Sequence, residues 1–119
     1  MPQFSLSLLF NSLLLATLLA ASHALLKWTA IRPVEGYLEL VVRYWPQIGL
    51  ALAIYGFIFF YYIGVLRRLD LAPLYASYTG LSILLILLVG PLLFGETVTP
   101  RQIAGTVLTV AGIVLIAWR

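Results

Sequence analysis

The chain has 119 residues, of which 63% are hydrophobic and only 9% charged, with a net charge of +3 and a mean hydropathy of +1.08. That is too little polar surface to cover a soluble globule of this size, so the chain belongs in a bilayer. The basic residues are scattered, which excludes a nucleic-acid footprint, and the absence of cysteine excludes disulfides and thiolate metal sites.

Cut at its charged residues, the sequence leaves four uncharged runs: Met1 to Leu26, Tyr44 to Leu66, Leu71 to Gly95 and Gln102 to Trp118. Each is close to the roughly 20 helical residues that cross a hydrocarbon core, the last at the lower edge. The runs are too long and too continuously apolar for barrel strands, and none shows the polar face that a helix of a soluble bundle requires. The expected fold is all-α and integral to the membrane. It is one domain of four transmembrane helices, residues 1–119, with spans at about 4–28, 46–66, 73–94 and 101–118 and a short amphipathic segment between the first two.

The first run ends in LLAASHALLKWTA, Leu18 to Ala30, where Ser22-His23-Ala24 fits a small-x-small cleavage site. A secretory signal also needs a positively charged start, and Met1-Pro2-Gln3-Phe4 has none, so the run is expected to stay as a span. On a helix Ser12, Ala16, Leu19, His23 and Lys27 share one stripe, with His23 about 6 Å deeper than Lys27. Lys27 can snorkel to the headgroups, or face the bundle interior as a counter-ion for an anionic group. His23 suits either a hydrogen-bonded packing role or proton carriage.

Pro33 opens PVEGYLELVVRYW, in which Val34, Tyr37, Leu38, Val41 and Trp45 recur at helical spacing opposite Glu35, Glu39 and Arg43, an amphipathic interfacial pattern. Pro46 opens the second span, whose aromatic end (Phe57, Phe59, Phe60, Tyr61, Tyr62) suits a headgroup boundary. Arg67-Arg68-Leu69-Asp70 is a polar turn, Pro73 starts the third span, and Pro91 should kink that span or mark its last turn. In it Tyr75, Tyr78 and Ser82 share a face with Thr79 beside them, suited to lining a cavity or to bonding between helices. In the fourth span Gly105 and Gly112 lie on nearly one side and signal packing or dimerisation.

With both termini on one side, that side holds Arg67, Arg68 and Arg119 and the other Lys27, Arg32, Arg43 and Arg101. So small a bias leaves a single topology and dual insertion as an antiparallel pair both open.

The stretch LAPLYASYTGLSILLILLVGPLLFGETVTPRQIAGTVLTVAGIVLIAWR resembles the C-terminal pair of spans in the drug/metabolite transporter superfamily. Its minimal four-helix, EamA-like members include the small multidrug resistance family and the ArnE/ArnF-type flippase subunits. The matches are Pro73 followed by Tyr78 and Ser82, the turn Phe94-Gly95-Glu96 into Thr99-Pro100-Arg101, and the Gly105 and Gly112 pair, with SHALLKWTA similar to the Lys-ended first segment. The resemblance implies half of a drug/metabolite transporter fold and a multi-pass protein of the bacterial inner membrane. Small multidrug resistance proteins carry a membrane-embedded Glu about two turns before that Lys; here Leu19 holds the position, and no Asp or Glu lies inside any run.

The expected function is therefore a transporter or flippase subunit for an amphipathic, anionic cargo such as a lipid-linked sugar phosphate of the polyprenyl-phosphate type. Lys27 would bind the anionic part, and His23, Tyr75, Tyr78 and Ser82 would line the path. Gly105 and Gly112 would pack a homodimer, or a heterodimer with a sister subunit, within membrane lipid. The alternatives are a cation or drug exporter of the small multidrug resistance type with a non-acidic site, and a non-transporting scaffold subunit. No enzymatic activity, cofactor, metal or nucleic acid is expected, since one His and no intramembrane carboxylate give no catalytic constellation.

Overall fold

The structure is a computed structural model describing residues 6–117; the expected outer limits at Phe4 and Trp118 lie outside the described residues. It is all helical among those residues: α1 (Leu6–Ala30), α2 (Tyr37–Arg43), α3 (Trp45–Leu66), α4 (Leu71–Phe94) and α5 (Pro100–Ala117). α1, α3 and α4 are long and apolar enough to cross a membrane, and α5 is a shorter apolar helix.

Local chemistry explains the boundaries. α2 does not begin at Pro33. Its N-cap is Gly36 in an extended conformation, because glycine costs about 1 kcal/mol in a helix and Val34 to Gly36 therefore stay outside it. Pro46 sits in the first turn of α3, as expected. Pro73 does not start α4 but is its third residue, where a missing N–H costs no intrahelical bond. Pro91 is carried in the last turn of α4, and Gly95 then stops the helix with φ +66°, a left-handed value that only glycine adopts freely. The Glu96 N–H closes this end by donating to the Gly90 carbonyl at 3.3 Å. α5 starts from a reciprocal capping box, in which Thr99 N–H donates to Gln102 Oε1 at 2.9 Å and Gln102 N–H to Thr99 Oγ1 at 3.2 Å, with Pro100 at the first helical position.

α1 is the centre of the arrangement. It packs most extensively against α4, then against α3, while α5 leans on α4. The buried residues of α1 and α4 are mostly small, Ser12, Ala16, Ala20 and Ser22 on one and Ser77, Gly80, Ser82 and Gly90 on the other, the composition that lets membrane helices approach closely. Leu8, Leu15, Ile58, Val65 and Leu74 form the apolar cluster where α1, α3 and α4 converge. Asn11 accepts a 2.6 Å hydrogen bond from the Tyr61 hydroxyl and ties α1 to α3.

The result is a layer 54 × 36 × 18 Å, less than two helix diameters thick. It exposes 8065 Å², against about 6,400 Å² for a compact soluble monomer of this mass. A layer this thin encloses no central path.

Candidate functional site

The residues singled out in the sequence fall into two groups at opposite ends of α1. Ser12, near the first group, and Lys27, in the second, lie about 22 Å apart along the helix at 1.5 Å per residue.

At the end where α3 passes into α4, Tyr78 stands between two other tyrosines. Its ring meets Tyr62 of α3 edge-on at 5.4 Å and Tyr75 of α4 edge-on at 5.5 Å. Tyr75 is 54% exposed, Tyr78 half-buried, and the Tyr62 hydroxyl is buried with no hydrogen-bond partner. Three ring faces and edges at this spacing can hold an organic cation or an aromatic solute. Ser82, one turn deeper, faces inward instead. Its side chain is buried and its hydroxyl donates to the Thr79 carbonyl at 2.7 Å, so in this conformation it binds its own helix rather than lining an open path. Ser12 and Ser77 line an apolar cavity of about 140 Å³ between α1, α4 and α5.

At the other end of α1, Ser22 and Thr29 stay buried while one side of the helix turns outward. Ser12 and Ala16 of the stripe are fully buried, Leu19 is half-buried, and His23 and Lys27 are exposed. Lys27 is not a lone cation. Its Nζ lies 3.5 Å from Glu96 Oε1, with the two side chains 47% and 52% exposed. Gly95 turns the chain back, and Gly90, lacking a side chain, leaves room for the Glu96 carboxylate against α4, where an added Cβ would lie 2.8 Å from Oε2. His23, Ala24, Lys27, Ile86, Val89, Gly90, Phe94 and Glu96 line a cavity of about 150 Å³. His23 also meets Tyr55 of α3 edge-on at 6.0 Å. Nearby, the Arg32 guanidinium lies 4.0 Å over Trp28, which in turn meets Tyr44 edge-on.

The expectation of a purely basic site is thereby corrected. No carboxylate lies inside the described helices' apolar lengths, but the α4–α5 turn brings one to Lys27, so this end of the site carries one charge of each sign. In the sequence Tyr62 was read only as part of an aromatic boundary and Glu96 only as part of a turn, and Tyr55 was not singled out. Glu96 carried a usable signal, because crossings by the second and third runs return the chain after the third to the side of the chain after the first. Among the described residues, no three His, Asp or Glu side chains gather as a metal site. Among the described residues, a Cβ added at Gly105 or Gly112 would meet no atom of another element within 4 Å. The tight contact between α4 and α5 is made instead at Gly80, against which the Ile113 side chain closes.

Comparison with known proteins agrees with this arrangement. A family model described as Small Multidrug Resistance protein matches residues 13–110. The chain is 33% identical over 90 residues to Multidrug resistance protein EbrB of Bacillus subtilis (strain 168), covering 74% of this chain and 71% of that protein. It is 33% identical over 88 residues to Multidrug resistance protein EbrB of Bacillus atrophaeus, with the same coverage of 74% and 71%. Over 70 residues it is 33% identical to Nicotine metabolites export pump subunit NepB of Paenarthrobacter nicotinovorans, covering 59% of this chain and 42% of that protein. No solved structure matches. The matched family segment runs from within α1 to within α5 and so takes in both ends of the site; the chain belongs to the Small Multidrug Resistance family and is a multi-pass transporter protein of the bacterial inner membrane.

Proposed function

We propose that the chain is one half of a dimeric exporter of small amphipathic organic compounds. α5 serves as its fourth span, giving half of a drug/metabolite transporter fold. The observation that carries this reading is the tyrosine cluster Tyr62, Tyr75 and Tyr78, whose ring faces can hold an organic cation where Leu19 leaves no intramembrane carboxylate to do so. Lys27 and His23 form the mouth at the other end, and Ser82 lies between the two. The sibling names fit this chemistry: two relatives are multidrug resistance proteins and a third is a subunit of an export pump.

The dimer follows from dimensions. Four helices in an 18 Å layer cannot surround a solute, whereas two such layers give eight helices around a central cavity. α5, at 1.5 Å per residue about 27 Å long, is close to the thickness of a hydrocarbon core. It presents Gly105 and Gly112 with open space before them, which suits a second copy or a sister subunit. The family and the relatives favour this exporter over a flippase of lipid-linked sugar phosphate, and Glu96 beside Lys27 lowers the net positive charge that an anionic cargo would meet.

The test is growth of cells expressing the full chain in the presence of quaternary ammonium compounds. The expected result is protection that is lost in Tyr78→Ala at unchanged protein level. Absence of protection both alone and with a sister subunit overturns the exporter reading.

A further inference from the structure

The cavity of about 150 Å³ between α1 and the α4–α5 turn has one feature that the tyrosine cluster lacks: a positive and a negative side chain facing each other among apolar walls of Ala24, Ile86, Val89 and Phe94. Their separation of 3.5 Å is wider than the 2.7–2.9 Å of a tight charge-assisted hydrogen bond. An ammonium offers three donors and a carboxylate about four acceptor sites, so a single loose contact leaves most of both unused. A half-exposed pair of this kind contributes little to stability and opens easily. Glu96 also lines a second cavity of about 260 Å³ on the α5 side, so its carboxylate stands at a wall shared by two spaces.

We propose that this cavity binds small zwitterions, molecules bearing one ammonium and one carboxylate or phosphate, with the ammonium on Glu96 and the oxyanion on Lys27. A singly charged ligand competes with one member of the pair for the other, so it gains one contact by giving up another. A ligand with both charges satisfies both members and leaves the net charge of the filled site at zero. The apolar walls receive the methylenes between the two charges. A soluble ω-amino acid and a phosphatidylethanolamine headgroup share this chemistry, and the cavity lies at the bundle end where either can arrive. The inference deepens the exporter reading by naming a cargo class, while the binding step stands on this cavity alone.

Lys27 is the only lysine of the chain and His23 the only histidine, so each gives a single resonance. The full chain, labelled with ¹³C-lysine and held in phosphatidylglycerol bicelles, is titrated with 4-aminobutyrate, butyrate and butylammonium while the Lys27 Cε resonance is followed. The expected result is a saturable shift with 4-aminobutyrate at an apparent affinity about tenfold above that of butyrate, the scale of one charge-assisted hydrogen bond. Glu96→Gln should bring butyrate level with 4-aminobutyrate. Lys27→Gln, followed on the His23 ring, should do the same for butylammonium. In bicelles containing phosphatidylethanolamine, a shift already present before titration, with a weakened response to 4-aminobutyrate, assigns the site to the headgroup; an unchanged response assigns it to the soluble zwitterion. Equal binding of butyrate and 4-aminobutyrate by the unaltered chain overturns the proposal, as does a zwitterion preference that survives both substitutions, or the absence of a shift with every probe and lipid. If zwitterion binding persists while protection against quaternary ammonium compounds is absent, the exporter reading fails and this site remains.

Discussion

α1 and α5 are both apolar helices, yet the structure uses them in opposite ways. α1 is gripped on two sides, by α3 and α4, and buries Leu8, Ser12, Leu15, Ala16, Ala20, Ser22 and Thr29. α5 touches α4 along one edge and buries none of its described residues. Apolar composition therefore does not separate a helix that forms the core from one that faces lipid or a partner. In a bilayer the tails are as apolar as leucine, so what separates them is close packing through small residues. α1 meets small residues of α4, whereas Gly105 and Gly112 of α5 have open space where a side chain would stand among the described residues.

The sharpest way to break this contrast is truncation on each helix. Leu15 is 0% exposed, and Leu15→Ala should cost about 2–5 kcal/mol of unfolding free energy. Leu115, 76% exposed on α5, should cost almost nothing in the monomer when changed to Ala. Reversible unfolding in mixed micelles measures both, and equal losses would dissolve the distinction. Next in size is Gly112→Leu. It should leave the monomer's unfolding unchanged but weaken association by about 1–3 kcal/mol through overpacking, read as a fall in the crosslinked dimer.

A smaller effect is expected at the tie between α1 and α3. Tyr61→Phe removes the hydroxyl bonded to Asn11 and should cost about 0.6–2 kcal/mol in the same unfolding measurement. The smallest belongs to the half-exposed end of α1. Lys27→Gln should change stability by about 1 kcal/mol or less, a difference that shrinks further in high salt. A larger loss would make Lys27 and Glu96 a structural clamp rather than an open pair. Gly90→Ala sharpens this point, because its Cβ displaces the Glu96 carboxylate without altering either charge.

Much of the fold was legible because the bilayer dictates it. Four apolar runs near the length of a hydrocarbon core must become helices, and the prolines and glycines between them mark their ends to within a few residues. Pro33 misled because Gly36 lies between it and the periodic segment, and Pro73 because a helix tolerates proline anywhere in its first turn. The TPRQ capping box before α5 was readable as a local pattern and reinforces the turn that presents Glu96.

The candidate site was only half legible. Periodicity puts Tyr75 and Tyr78 on one face, and His23 and Lys27 on another, because those spacings are properties of a single helix. Which helices become neighbours is not, so the partners Tyr62, Tyr55 and Glu96 emerged only when α1, α3 and α4 were set side by side. The amino-acid sequence determined the solvent this chain lives in and the lengths of its helices, since both follow from summed transfer free energies. The tertiary structure decided the charge of the site: a glycine turn and a bare glycine on α4 carry a carboxylate across the chain to the lysine, and a contact between residues 69 positions apart leaves no trace in local pattern.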